Sequence, residues 1–275
     1  MTQRGFEDYL YGIYGHRNGT ANSYIKAIQI IDELFAIEDL FCLKGKSLTS
    51  IDDFTLLENI ANFINAQQYL YKKGYDSTFF RNINERQRSY PGKGFCSAAI
   101  NKLMAYYIAE IEDRAWMIVR NTQSAKEISN KLNKYFDLDK EGSDVEVAAR
   151  QRIGQTYFRK MVLANYERKC CVTGLNVPQT LRASHICAWT SDKENRMNPE
   201  NGLCLSATYD AAFDKHLISF DDDYRMIVSR EIKEYYTNEV TKEYFENFEG
   251  KKMILPLFYL PSKKLLEKHR ELMVG

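Results

Sequence analysis

The sequence predicts an α+β protein in which a helical bundle precedes a small strand, strand, helix module, and three observations carry that prediction. Apolar residues recur with a period near 3.6 through much of the first 125 residues. An acidic stretch containing Gly and Ser, 137-DLDKEGSDVE-146, follows a further helical segment and marks a connector. Beyond it, two short apolar runs at 181–186 (LRASHI) and 202–205 (GLCL) flank a polar loop, and Ser206 then stands where a helix cap is needed. A chain of 275 residues can bury two cores. We therefore divide it into residues 1–125 (helical), 126–149 (helix and linker) and 150–275 (the mixed module).

The first helical run follows Thr20 and Ser23 and places Tyr24, Ala27, Ile28, Ile31, Leu34 and Phe35 on one face. A second opens after the Ser50/Asp53 pair with Phe54, Leu57, Ala61 and Ile64. A third begins near Ser97 and carries Ile100, Leu103, Met104, Tyr107 and Ile108. Between the second and third, residues 69–94 interleave Lys72, Lys73, Arg81, Arg86, Arg88 and Lys93 with Tyr69, Tyr71, Tyr75, Phe79, Phe80 and Tyr90. Such alternation suits a loop lying along a phosphate backbone, cations positioning and rings stacking. The other reading packs those rings into the bundle, where aromatic residues belong by default.

Composition excludes several classes. With 44% hydrophobic and 27% charged residues the chain is neither disordered nor of low complexity, and a net charge of +1 rules out a whole-chain polycation. No stretch is apolar for the length a membrane span needs, and the polar start lacks a secretory pattern, so a cytoplasmic protein with no membrane partner is expected. Six cysteines without a C-x-x-C pair are expected to be reduced thiols, and no structural zinc is expected. Charge is nevertheless local: residues 150–196 hold 9 basic and 3 acidic side chains, and 197–249 hold 5 and 12. Cations beside carboxylates are what a site for phosphates and a metal ion requires.

The chemistry concentrates after residue 150. A helix through about residue 166 supplies Arg152, Arg159 and Lys160, and 169-KCCVTG-174 predicts a short strand and turn. The strand at 181–186 delivers His185 at its end, Asn201 heads the next strand, and Asp210 and Asp214 stand one turn apart on the helix that Ser206 opens. Carboxylates at that spacing can share one divalent ion, and hard oxygen donors favour Mg²⁺ or Mn²⁺. A nearby histidine with an ordinary pKa of about 6.5 would take a proton from water at neutral pH.

These pieces, 171-CVTG-174, 183-ASHI-186 with Trp189, 198-NPENGLCLS-206, 210-DAAFD-214, 217-LISF-220 and 254-ILP-256 with His269 and Arg270, together resemble the HNH (ββα-metal) endonucleases, in particular the HNH branch found among restriction endonucleases. The resemblance covers about residues 150 to 270. It implies that His185 is the general base, that Asn201 braces the loop and so orients His185, and that Asp210 and Asp214 hold one Mg²⁺ or Mn²⁺. The position before the base, often a ligand in this superfamily, is Ser184 here. The implied reaction is hydrolysis of double-stranded DNA in a restriction-type defence role, with Arg152, Arg159, Lys160, Arg168, Lys169 and Arg182 as candidate phosphate contacts. His216 reads as a helix C-terminal residue on another face, interacting with the dipole. His269 and Arg270 suit either a phosphate contact or a surface helix. Residues 1–125 would supply target recognition or homodimer contacts. Two other readings stand beside this one: a degenerate HNH fold that only binds DNA, and an RNA or toxin-type nuclease.

Overall fold

A computed structural model describes every residue except Arg17, Asn18, Asp39, Val274 and Gly275. It divides into two compact units, Met1–Arg114 and Ala115–Gly275. The division falls inside a long helix, whereas the 126–149 segment lies wholly within the second unit.

The first unit is helical: α1 (Gln3–Tyr14), α2 (Gly19–Glu38), α3 (Phe54–Lys72), the short α4 (Ser89–Lys93) and α5 (Phe95–Arg120). Asp53 caps α3 by accepting the Leu56 N–H at 2.9 Å. The expected faces are buried: Ala27, Ile28, Ile31, Leu34 and Phe35 of α2 meet Leu57, Ala61 and Ile64 of α3 and Ile100 and Leu103 of α5 in one core. Each Ile, Leu or Phe side chain among them contributes roughly 1.5–3 kcal/mol by leaving water. The stretch between α3 and α4 is not an open loop. It forms two 3-10 turns, and Phe79 and Phe80 are buried, Phe79 packing on Phe35 with ring centroids 4.8 Å apart. Those two rings cannot stack on a nucleic acid; Tyr69 and Tyr75 remain exposed.

The second unit takes in the end of α5 from Ala115 and continues with α6 (Ala125–Tyr135) and α7 (Asp144–Asn165). Ser143 and Glu146 close a reciprocal capping box at the start of α7. Then follow β1 (Leu181–His185), β2 (Gly202–Ser206), α8 (Ala207–Asp214), β3 (Ile218–Phe220), β4 (Met226–Val228), α9 (Arg230–Lys233), α10 (Glu239–Tyr244) and α11 (Lys263–Arg270). β1 pairs antiparallel with β2, and β3 with β4, as separate two-stranded sheets. Residues 169–174 form a turn without the expected strand; the Cys171 N–H still reaches the Cys204 carbonyl at 2.7 Å, so the turn is tied to β2. Cys170, Cys171 and Cys204 are fully buried free thiols, and burial pushes the Cys204 thiol up to about 12. Gly202 is required where it stands: a Cβ there would lie 2.4 Å from Val162 and 3.0 Å from Phe158, so its lack of a side chain lets α7 press against the sheet.

Candidate active site

His185 ends β1 opposite Gly202, and the close approach that Gly202 permits brings Phe158 of α7 onto the imidazole. The two rings stack with centroids 3.7 Å apart at 13°, and Trp189 meets the imidazole edge-on at 5.5 Å. Nε2 lies 3.0 Å from the Arg196 carbonyl. A carbonyl only accepts, so Nε2 carries the proton and Nδ1 is left with its lone pair; nothing among the described residues hydrogen-bonds Nδ1. Burial against the rings lowers the His185 pKa to about 4, against the opposing pull of the Arg196 carbonyl. The ordinary value expected from sequence therefore does not hold. The ring is neutral, with Nδ1 unprotonated, throughout the neutral range.

The loop between β1 and β2 is closed by Asn201, which is fully buried. Its Oδ1 accepts the Cys187 N–H at 2.8 Å, while Nδ2 donates to the carbonyls of Cys187 at 3.1 Å and Asn195 at 3.0 Å. The Asn201 backbone carbonyl also accepts the Ile186 N–H at 2.9 Å. One side chain thus joins the residues just after His185 to the neighbour of Arg196, whose carbonyl fixes the imidazole.

Across the cleft, α8 carries Asp210 and Asp214 one turn apart. The buried Ser184 hydroxyl donates to Asp210 Oδ1, committing that hydroxyl to orienting the carboxylate. Asp214 is held above the usual carboxylate range, first by partial desolvation and then by the charge of Asp210, with His216 opposing both. A carboxylate whose proton affinity is raised beside a second carboxylate is a donor set that a hard divalent cation relieves. Among the described residues no group of three or more His, Cys, Asp or Glu side chains surrounds a single point. An ion on this pair would keep most of its positions for water and phosphate oxygens, as Mg²⁺ does. His185, Ser184, Asp210, Asp214 and Arg182 line one cleft of about 970 Å³.

Residues 170–221, which contain both strands and α8, match the family model described as HNH endonuclease. This segment is an HNH domain. No curated protein matches the chain.

The HNH domain brings together His185, Ser184, Asp210 and Asp214, with Asn201 behind them. Of the proposed phosphate contacts, Arg182 alone lines its cleft among the described residues. Arg159 donates to the Pro178 carbonyl at 3.2 Å and Lys169 to Glu167 at 3.5 Å, while Arg152, Lys160 and Arg168 are exposed elsewhere on the unit. Sequence reading missed Lys268, which lines the cleft from α11, although His269 and Arg270 beside it belong to the resemblance. It also misplaced one histidine and left another open. His216 is not turned away from the carboxylates but lines the same cleft, and His269, only 2% exposed, sits on the inward face of a surface helix at the edge of that cleft.

His269 makes a pH-dependent contribution to stability. Burial, with His216 adding to it, holds its pKa down to about 4. Below about pH 6.5 the unfolded chain takes up a proton that the folded chain refuses until pH 4, so stability present at pH 7 declines as pH falls through that window. The full loss from this group is about 3 kcal/mol. Urea unfolding at pH 7.0, 5.5 and 4.5 should show it, and His269→Asn should have a flatter pH dependence; an equal slope in that variant would refute the assignment.

Proposed function

We propose that the protein is a metal-dependent HNH endonuclease that hydrolyses phosphodiester bonds of double-stranded DNA in a restriction-type defence role. The observation that carries this reading is a neutral imidazole with its Nδ1 lone pair uncommitted, in one cleft with a pair of carboxylates.

In this reading His185 Nδ1 takes the proton from the water that attacks phosphorus, and the Arg196 carbonyl holds the ring by its Nε2–H throughout. Entry of the phosphate anion beside the ring raises its proton affinity, which brings a base of low pKa nearer the strength the step needs. Asp210 and Asp214 hold the divalent cation, Mg²⁺ or Mn²⁺, with Ser184 orienting Asp210. Bound there, such an ion supplies charge stabilisation at the phosphate and the leaving oxygen. Arg182 positions the strand from the cleft wall. Target recognition or homodimer contacts fall to residues 1–125, where Lys72, Lys73, Arg86 and Lys93 are exposed, while Arg81 pairs with Asp76 and Arg88 with Glu85 at 3.6 Å.

Incubation of the purified protein with methylated and unmodified plasmids, with Mg²⁺, Mn²⁺ or chelator, tests this. Metal-dependent cutting of one plasmid class supports the restriction role; duplex binding without cutting under any condition would leave only a DNA-binding fold. Asp210→Asn is expected to lower cleavage on the order of a hundredfold or more and to weaken Mn²⁺ binding in a calorimetric titration. Unchanged Mn²⁺ affinity in that variant would remove Asp210 from the ligand set.

A further inference from the structure

His216 is one of seven non-glycine residues with positive φ among the described residues, and of these it lines the cleft. Its φ is +55°. It follows Lys215, the C-cap of α8; its N–H donates to the Phe213 carbonyl at 2.8 Å, and the next N–H, of Leu217, to the Ala212 carbonyl at 2.9 Å. This is the helix-ending turn in which glycine is the usual occupant, because glycine enters the left-handed region without steric cost. An imidazole standing there in place of glycine, in the cleft that holds Asp210 and Asp214, points to a use for the side chain.

The ring is also held from behind. His269 of α11 stacks on Phe213 with centroids 3.8 Å apart at 5°. Its Nε2 lies 3.0 Å from the Phe213 carbonyl, an obligate acceptor, so Nε2 carries the proton and Nδ1 receives the buried Ser219 hydroxyl at 3.0 Å. The same Nε2–H faces His216 Nδ1 at 3.1 Å. Nδ1 of His216 is therefore the accepting nitrogen, and in the neutral ring the N–H sits on Nε2. Two buried groups thus set the tautomer and orientation of a third that lines the cleft beside Asp210 and Asp214, a cleft to which His269 itself adds its edge.

We propose that His216 binds the substrate phosphate through its Nε2–H and that His269 and Ser219 are positioning residues for it. The inference rests on the nuclease reading above. A residue that merely closed α8 would be improved by glycine, whereas a phosphate donor would be lost with it.

The test compares His216→Gly, His216→Asn, Ser219→Ala and the double variant His216→Gly/Ser219→Ala in the full chain. Glycine and asparagine both accept the left-handed conformation, so both variants should melt at or above the wild-type temperature. His216→Gly is expected to lower kcat/KM for duplex cleavage tenfold to a hundredfold, the worth of one charge-assisted hydrogen bond, and to weaken duplex binding measured by anisotropy in chelator. His216→Asn, which keeps an N–H donor, should recover part of the loss. Ser219→Ala should lower kcat/KM severalfold in the wild-type background and not at all beside His216→Gly. If the wild type cuts DNA and His216→Gly cuts and binds as well, the phosphate role is overturned while the nuclease reading stands. The same conclusion follows if activity falls only together with melting temperature. An equal Ser219→Ala effect in both backgrounds overturns the positioning role. Failure of the wild type to cut any duplex with Mg²⁺ or Mn²⁺ overturns the nuclease reading and this inference with it.

Discussion

Replacing His185 with alanine should lower DNA cleavage by at least about a thousandfold, within the range a positioned general base supplies, while duplex affinity changes by less than about threefold. The separation follows from where the ring sits. Phe158 covers one face, Trp189 approaches its edge and the Arg196 carbonyl holds Nε2, so little beyond Nδ1 is available to a substrate. A single lone pair contributes to a proton transfer far more than to binding a polyanion, whose affinity comes from cations. The substitution also empties the space under Phe158, and some stability is lost with it. Activity is therefore best read well below the variant's melting temperature. Plasmid nicking at the wild-type rate by a folded His185→Ala protein would eliminate His185 as the base.

Asn201→Ala should be the most damaging single change to the loop. The substitution strands the Cys187 N–H and carbonyl, and leaves the Asn195 carbonyl with only the Asn198 N–H at 3.2 Å, in a place where Asn201 itself has no exposed surface. Leaving buried polar groups unpaired costs about 1–3 kcal/mol each, and a total on the order of 3 kcal/mol allows for relaxation of the loop. Because Asn195 precedes Arg196, the carbonyl that aims His185 moves with it, and cleavage should fall on the order of a hundredfold even at temperatures where the variant is folded. Asn201→Asp keeps the acceptor for Cys187 but loses both donated bonds and buries a charge, so it should not rescue either quantity. The decisive comparison is denaturant midpoint against cleavage rate for both variants; wild-type behaviour of Asn201→Ala in either would show that the loop is braced elsewhere.

What sequence could show follows the range over which its signals act. The strands ending at His185 and Ser206 and the helix with Asp210 and Asp214 are local: alternation, a serine at the N-cap position, whose side chain makes no cap hydrogen bond, and an i, i+4 pair lie within a few residues of each other. The α2, α3 and α5 faces are legible for the same reason. Helix α1 buries only Phe6 and Leu10, yet Phe6, Leu10 and Ile13 at i, i+4 and i+7 already carried its period and were overlooked. The rings between α3 and α4 were ambiguous because interleaving says nothing about which side chains turn inward; Phe79 and Phe80 do, Tyr69 and Tyr75 do not. The low pKa of His185 depends on Phe158, Trp189 and Arg196, brought together only by folding around Gly202. His216 and His269 are 53 positions apart, and no spacing rule connects them.

The thiols enclosed behind β2 give the domain a built-in reporter. Cys170, Cys171 and Cys204 are fully shielded, and burial keeps Cys171 and Cys204 protonated, whereas Cys42 in the other unit is exposed. An alkylating dye added to the native protein would mark Cys42 promptly and reach the enclosed trio only through transient opening. The slow incorporation at that trio, separated by peptide mapping from that at Cys96, which is equally buried in the first unit, would then clock how often the HNH domain breathes, without any probe having to be introduced.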